Sequence, residues 1–287
     1  MSDRGQLPSP KPDYRIGRIA MLTLVSGTTA FGLSGNILSA LLALAAGLGT
    51  ALAGFYLDHV IDMSRDRQSP VNVNPLALET MRLPAAIALI TAGAALAIVP
   101  ALVLRPLAVI PVLLVPGVVL FLHIRPLETP LIRALGLGVL QALYVFLGAS
   151  WAVAPAVRAA WPAAFLFFAM TGGKVLGDVR DLNADERSDA PTIPRRYGLI
   201  FSRIFLCASE AAAYLTGIAA YFLGGFGYPY LIAMLVTAVA GTVFNVYFCL
   251  DPTPARARLV NALSLGVLGM LYVAALTAEG IMHWVQT

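Results

Sequence analysis

Asp58, Asp62 and Asp66 recur at every fourth position in the stretch LDHVIDMSRDRQSP, and Asp178, Asp181 and Asp185 crowd into KVLGDVRDLNADERSDAPTIPRRYG. Residues four apart lie on one face of a helix, so Asp58, Asp62 and Asp66 form a stripe that drifts by about 40° per step. Asp181 and Asp185 repeat the spacing, with Asp178 one turn earlier. Carboxylates crowded on one stripe repel one another. A hard divalent cation relieves that repulsion, and Mg²⁺ characteristically takes one or two carboxylates together with substrate phosphates. One such spacing at a membrane boundary is ordinarily a solvated helix end. Two of them, holding six of the fifteen acidic residues in the chain, point to chemistry.

The elements that must position these residues are membrane helices. The 287 residues are 59% hydrophobic and only 12% charged, against about a quarter charged in a soluble domain, and the mean hydropathy is +0.81. Apolar segments long enough to cross a core of about 30 Å fall at 16–34, 36–57, 84–101, 104–122, 134–155, 159–177, 200–223, 228–250 and 260–284. Only a short join bearing Pro100, Arg105 and Pro106 separates the third and fourth of these, so eight spans is the alternative count. The fold class expected is an all-α, polytopic membrane bundle of about nine helices around a central cavity.

Positive loops stay cytoplasmic. With nine spans, every Lys and Arg except Arg105 and Arg158 collects on the side of the N-terminus, which predicts a cytoplasmic N-terminus and puts both acidic clusters on that face. An integral protein of the inner or plasma membrane is the expected localisation. The net charge of +4 then reflects topology and attraction to anionic lipid headgroups. It does not mark a nucleic-acid surface, since no basic stripe is interleaved with aromatics. Residues 1–15 read as a flexible tail and 16–287 as a single transmembrane domain. Cys207 and Cys249 fall inside spans, where a thiol behaves as a small hydrophobe. His59, His123 and His283 are scattered and show no ligand spacing.

Each cluster follows an even-numbered span and recurs four spans later, as if two four-helix halves faced their acidic loops across one cavity. The pattern resembles the UbiA-type superfamily of intramembrane prenyltransferases, which carries NxxxDxxxD after its second helix and DxxxD after its sixth, the latter running into a T-[LI]-P-x-x-x-G tail. Asp181 and Asp185 match the second motif, and Thr192, Ile193, Pro194 and Gly198 match the tail. Asp58, Asp62 and Asp66 match the first motif in spacing, with Asp58 where the family has Asn. The Arg-Pro pair usual downstream is replaced by SPVNVNPL.

The resemblance implies Mg²⁺ held by Asp58, Asp62, Asp66, Asp178, Asp181 and Asp185, with Asp62 and Asp181 central to catalysis. A prenyl diphosphate would place its tail in the apolar cavity and its diphosphate at the cytoplasmic mouth, where Lys174, Arg67 and Arg180 are the clamps. An allylic cation favours aromatic faces, and Tyr56, Tyr144, Phe146, Trp151, Phe167 and Phe168 lie on the relevant spans; Tyr144 is the catalytic candidate among them. A lipophilic acceptor, aromatic in the first instance, would capture the cation within the lipid bilayer. Glu210 and Asn245, polar inside spans, are either acceptor-side groups or ties between helices.

Three other readings compete. A UbiA-like terpene cyclase would let the substrate's own double bonds capture the cation. A non-catalytic assembly partner would keep the fold without turnover. A transporter would place its acids near the bilayer midplane, whereas only Glu210 and Glu279 lie deep here.

Overall fold

The structure is a computed structural model that describes residues 14–67, 74–124, 129–182 and 191–286. Asp185 and the first thirteen residues of the expected tail lie outside the described residues. Helix begins at Tyr14, two residues before the predicted start.

Among the described residues the regular structure is all helical, in nine successive units: α1 (Tyr14–Ser34), α2 (Ile37–Asp66), α3 (Leu83–Leu104), α4 (Val109–Leu122), α5 (Pro130–Ala152), α6 (Ala156–Arg180), α7 (Ile193–Leu223), α8 (Tyr228–Leu250) and α9 (Pro254–Gln286). Seven of these, α2, α3 and α5 to α9, are long and apolar enough to cross a membrane. The join between the third and fourth spans separates two helices. Arg105 leaves α3 at φ −149°, and Pro106 opens a 3₁₀ turn that reverses the chain into α4. With that turn α4 is a short apolar helix, Pro106–Leu122, about 26 Å long at 1.5 Å per residue. A π-helical turn at Ser264–Leu268 interrupts α9.

The helices close into a ring. α1 packs against α2, α5 and α9, and α6 packs against α5, α7 and the start of α9. Burial is inverted relative to a soluble protein: Val103, Leu107, Leu223 and Leu250 are each more than 70% exposed, while Ser26, Thr29, Thr50 and Ser202 are buried. Lipid tails are as apolar as leucine, so small residues that permit close backbone approach drive helix association instead. A Cβ added to Gly49 on α2 would lie 2.5 Å from the Gly93 carbonyl oxygen on α3, so the two backbones meet there with no room for a side chain.

Candidate functional site

Helix α2 does not end where its hydropathy does. The helix runs on to Asp66, so Asp58, Asp62 and Asp66 form its last two turns instead of a following loop. His59 is buried within this segment. Asn74, the second asparagine of SPVNVNPL, locks its end. Asn74, 1% exposed, donates to the His59 carbonyl at 2.8 Å and to Asp66 at 2.9 Å, and accepts from the Leu76 amide at 3.0 Å. Asp66 is thereby held in place by the segment in which the sequence departs from the family pattern.

His123 overturns the reading of scattered histidines. The residue caps the C-terminus of α4, and its Nε2 lies 3.5 Å from Asp58 and 3.3 Å from Asp62. Its Nδ1 donates to the Val119 carbonyl at 2.7 Å. The hydrogen bond to Asp62 pushes the imidazole up to about 9, against the opposing effect of burial. One donor atom from each of Asp58, Asp62 and His123 falls within 4.8 Å of the others, a set that fits a divalent cation. No local spacing could have signalled this. The signal available was topological, because the ends of the second and fourth spans share a face.

The second cluster is divided by the end of α6. Asp178 is in the helix and 3% exposed, flanked by buried Val175, Leu176 and Val179. One of its oxygens takes the Lys174 ammonium one turn back, and the other accepts from the Ile193 amide at 3.2 Å. Thr192, at the N-cap of α7, makes no side-chain cap, so Asp178 serves as the cap from another helix and meets the positive end of the α7 dipole. Asp181 is the C-cap of α6. Arg180 grips it in a fork, with Nε donating to Oδ1 at 2.9 Å and Nη2 to Oδ2. Of the expected row, Asp178 lies in α6 and Asp181 at its end, while Asp185 lies outside the described residues. Gly198, the last residue of the tail motif, sits inside α7 at φ 81° and ψ 166° and breaks the helix there, a conformation essentially reserved for glycine.

Arg18 of α1 joins the two clusters, lying within electrostatic reach of Asp58, Asp181 and Arg180. Arg133, in the first turn of α5, acts on Asp58 in the same way. Five helix ends thus converge on one polar mouth. Arg67 stands apart: its side chain is half exposed and lies 3.8 Å from Glu79.

Below the mouth, an apolar groove of about 390 Å³ runs between α5 and α6. Val139, Leu143, Phe146, Phe167 and Phe168 line it. Phe167 is seven residues before Lys174, so the groove begins about 10 Å along α6 from the mouth. Tyr144 is buried at 3% exposed and packs toward α1, where its carbonyl accepts from Ser26 at 3.2 Å. It lies eleven residues, about 16 Å, along α5 from Arg133. Trp151 is also buried, and Tyr56 meets Phe55 and His59 edge-on.

At the opposite end of the bundle, Glu279 of α9 is buried against Arg158 of α6 at 2.8 Å and accepts from the Gly227 amide at 2.7 Å. Glu210 and Asn245 are buried on α7 and α8, which pack together.

The sequence matches no protein-family model and no curated protein. The fold, in contrast, has close counterparts among solved structures. A UbiA homologue from Aeropyrum pernix K1 superposes with a TM-score of 0.77 at 23% identity, covering 95% of this chain and 98% of that one. A digeranylgeranylglyceryl phosphate synthase structure gives 0.72 at 17%, covering 94% and 97%. A UbiA homologue from Archaeoglobus fulgidus, bound to DMAPP and Mg²⁺, gives 0.66 at 16%, covering 96% and 99%. The chain is an all-α membrane bundle with the UbiA-type fold.

Proposed function

We propose that this protein transfers a prenyl group from a prenyl diphosphate to a lipophilic acceptor within the membrane, in a Mg²⁺-dependent reaction. The observation that carries the reading is the convergence of the Asp58–Asp62–Asp66 and Asp181 carboxylates with Arg18, Arg133 and Arg180 at the mouth of an apolar bundle. The likeness to a fold that binds DMAPP and Mg²⁺ in the Archaeoglobus homologue supports it.

Asp58, Asp62, Asp66 and Asp181 are the cation-holding groups in this reading, and Asp185 joins them by its motif position. Mg²⁺ bound there would supply positive charge to the departing diphosphate. Arg180 and Lys174 flank the diphosphate; each already neutralises a carboxylate of the second cluster, so the site presents its charges in paired form. Asp178, with both oxygens engaged, holds α7 against α6. The groove takes the isoprenoid tail, and Phe146, Phe167 and Phe168 offer ring faces to a developing cation. Tyr144 packs behind that wall.

The allylic carbon–oxygen bond breaks with its electron pair leaving on the diphosphate. A nucleophilic atom of the acceptor then bonds to the allylic carbon, and the acceptor loses a proton. Water must be kept from the cation, and the residues that line the groove are all apolar. The mouth would face the cytoplasm, following the distribution of Lys and Arg.

The test is diphosphate release from a panel of allylic prenyl diphosphates by purified protein in detergent, with Mg²⁺ or EDTA and with or without a lipid extract. Mg²⁺-dependent release that requires the extract is the expected result. Release without extract, accompanied by a hydrocarbon or terpene alcohol, would replace the transferase with a cyclase. No release under any condition would overturn the enzymatic reading.

A further inference from the structure

Read from its aspartates alone, the first cluster is an all-oxygen site suited to Mg²⁺. The histidine at the end of α4 changes the donor set. Two atoms that each bind one ion at about 2.1 Å stand about 3.0 to 3.4 Å apart. The Nε2 of His123 lies 3.5 Å from Asp58 Oδ1 and 3.3 Å from Asp62 Oδ1, close to that spacing before any adjustment. The other ring nitrogen is committed to the Val119 carbonyl at 2.7 Å. A bond of this kind on the remote nitrogen fixes the tautomer and the ring plane of a metal-bound histidine, and leaves Nε2 to ligate once the cation displaces the proton it shares with Asp62. The ring does not hang from a loose loop. It caps a helix whose preceding turn carries buried Val119, and its side chain is 16% exposed.

We propose that His123 Nε2 ligates a divalent cation together with Asp58 and Asp62, and that this mixed nitrogen and oxygen set favours a first-row transition ion such as Mn²⁺ over Mg²⁺. Imidazole suits transition ions, whereas Mg²⁺ takes oxygen. The inference deepens the proposed function and rests on its reading of the first cluster as a cation site. Asp58 contributes directly: a carboxylate at this position supplies the charge that a nitrogen donor does not.

The experiment uses the full-length protein in detergent and Mn²⁺ as the probe, alone and with inorganic diphosphate. Pulsed electron paramagnetic resonance on the Mn²⁺-loaded protein should show coupling to a directly bound nitrogen, and growth with ¹⁵N-histidine should change that coupling. His123→Gln should abolish it and weaken Mn²⁺ binding by at least about tenfold, the scale set by losing even an outer-shell partner. Mg²⁺ binding, read by competition, should weaken less. Absence of nitrogen coupling in wild-type protein in both arms, absence of Mn²⁺ binding in both, or coupling unchanged in His123→Gln would each overturn the proposal; the wild-type measurements do not depend on the variant folding. Diphosphate release on the same preparation separates the two ideas. Release without nitrogen coupling would remove the histidine ligand and leave the proposed function standing. Nitrogen coupling without release from any prenyl diphosphate would do the reverse.

Discussion

Asp62 and Asp178 have the same side chain, lie near the same mouth and do different work, and the difference is one of partners. Asp62 is partly open and shares a histidine with Asp58. Asp178 is buried between a lysine and a helix amide. Asp62→Ala or Asp181→Ala should therefore abolish Mg²⁺-dependent diphosphate release in the protein that stays folded; retained release in both would sink the two-cluster site. Asp178→Ala leaves a partly buried ammonium and a helix end unpaired, and should lower stability by about 3–5 kcal/mol, read as a fall in the thermal midpoint. His123 adds a pH dependence. Its folded-state value of about 9 lies above the ordinary 6.5 or so, so its contact with Asp62 contributes fully below about pH 6.5 and is lost as pH rises through about 9. In the presence of chelator, the midpoint of the wild type should fall between neutral and alkaline pH more than that of His123→Gln.

At the scale of elements, the junction from α6 to α7 is where the motif becomes geometry. The tail motif holds Ile193 fully buried, so that its amide meets Asp178, and Gly198 then breaks the helix so that the rest of α7 can follow its own packing. Nothing lies within 4 Å of a Cβ built on Gly198. The cost of Gly198→Ala is therefore backbone strain alone, about 1–3 kcal/mol, and a thermal midpoint equal to wild type would refute that account. The element boundaries were legible where hydropathy marks them and not where it does not. The helical run of Asp58 to Asp66 lies beyond the apolar part of α2, since a helix continues for as long as its hydrogen bonds do. The split between α3 and α4 falls at the Pro- and Arg-bearing join that left the count open between eight and nine: Pro106 has no amide hydrogen to give the preceding turn, whereas Pro100 is accommodated inside α3.

Across the whole molecule, each end of the bundle buries one carboxylate against a cation, Asp178 with Lys174 near the mouth and Glu279 with Arg158 at the far end. The mouth adds the partly exposed Asp58, Asp62 and Asp181, whereas the far end sets the Arg158 guanidinium 5.0 Å above the Phe226 ring. A deep acid held in this way is a clasp between α6, α9 and the turn before α8, and it weighs against the transporter reading that its position in the sequence had kept open. Glu279→Ala should destabilise the protein by about 3–5 kcal/mol through the uncompensated guanidinium. The Mg²⁺ dependence of diphosphate release in the protein that stays folded should be unaltered, and a changed dependence would tie the clasp to the site.

Composition, span lengths and the placement of Lys and Arg were enough to specify a membrane bundle of about nine helices, with eight the alternative, because hydropathy and charge are local properties that each segment carries by itself. Spacing likewise identified Asp58, Asp62 and Asp66 as one stripe. Only the tertiary structure decided that His123 completes that stripe, that Asn74 holds Asp66, and that Asp178 caps α7. Those contacts join residues on different helices. Their meeting depends on how close the backbones come, as at Gly49 and Gly93, and on where each helix stops, neither of which the periodicity within a helix encodes.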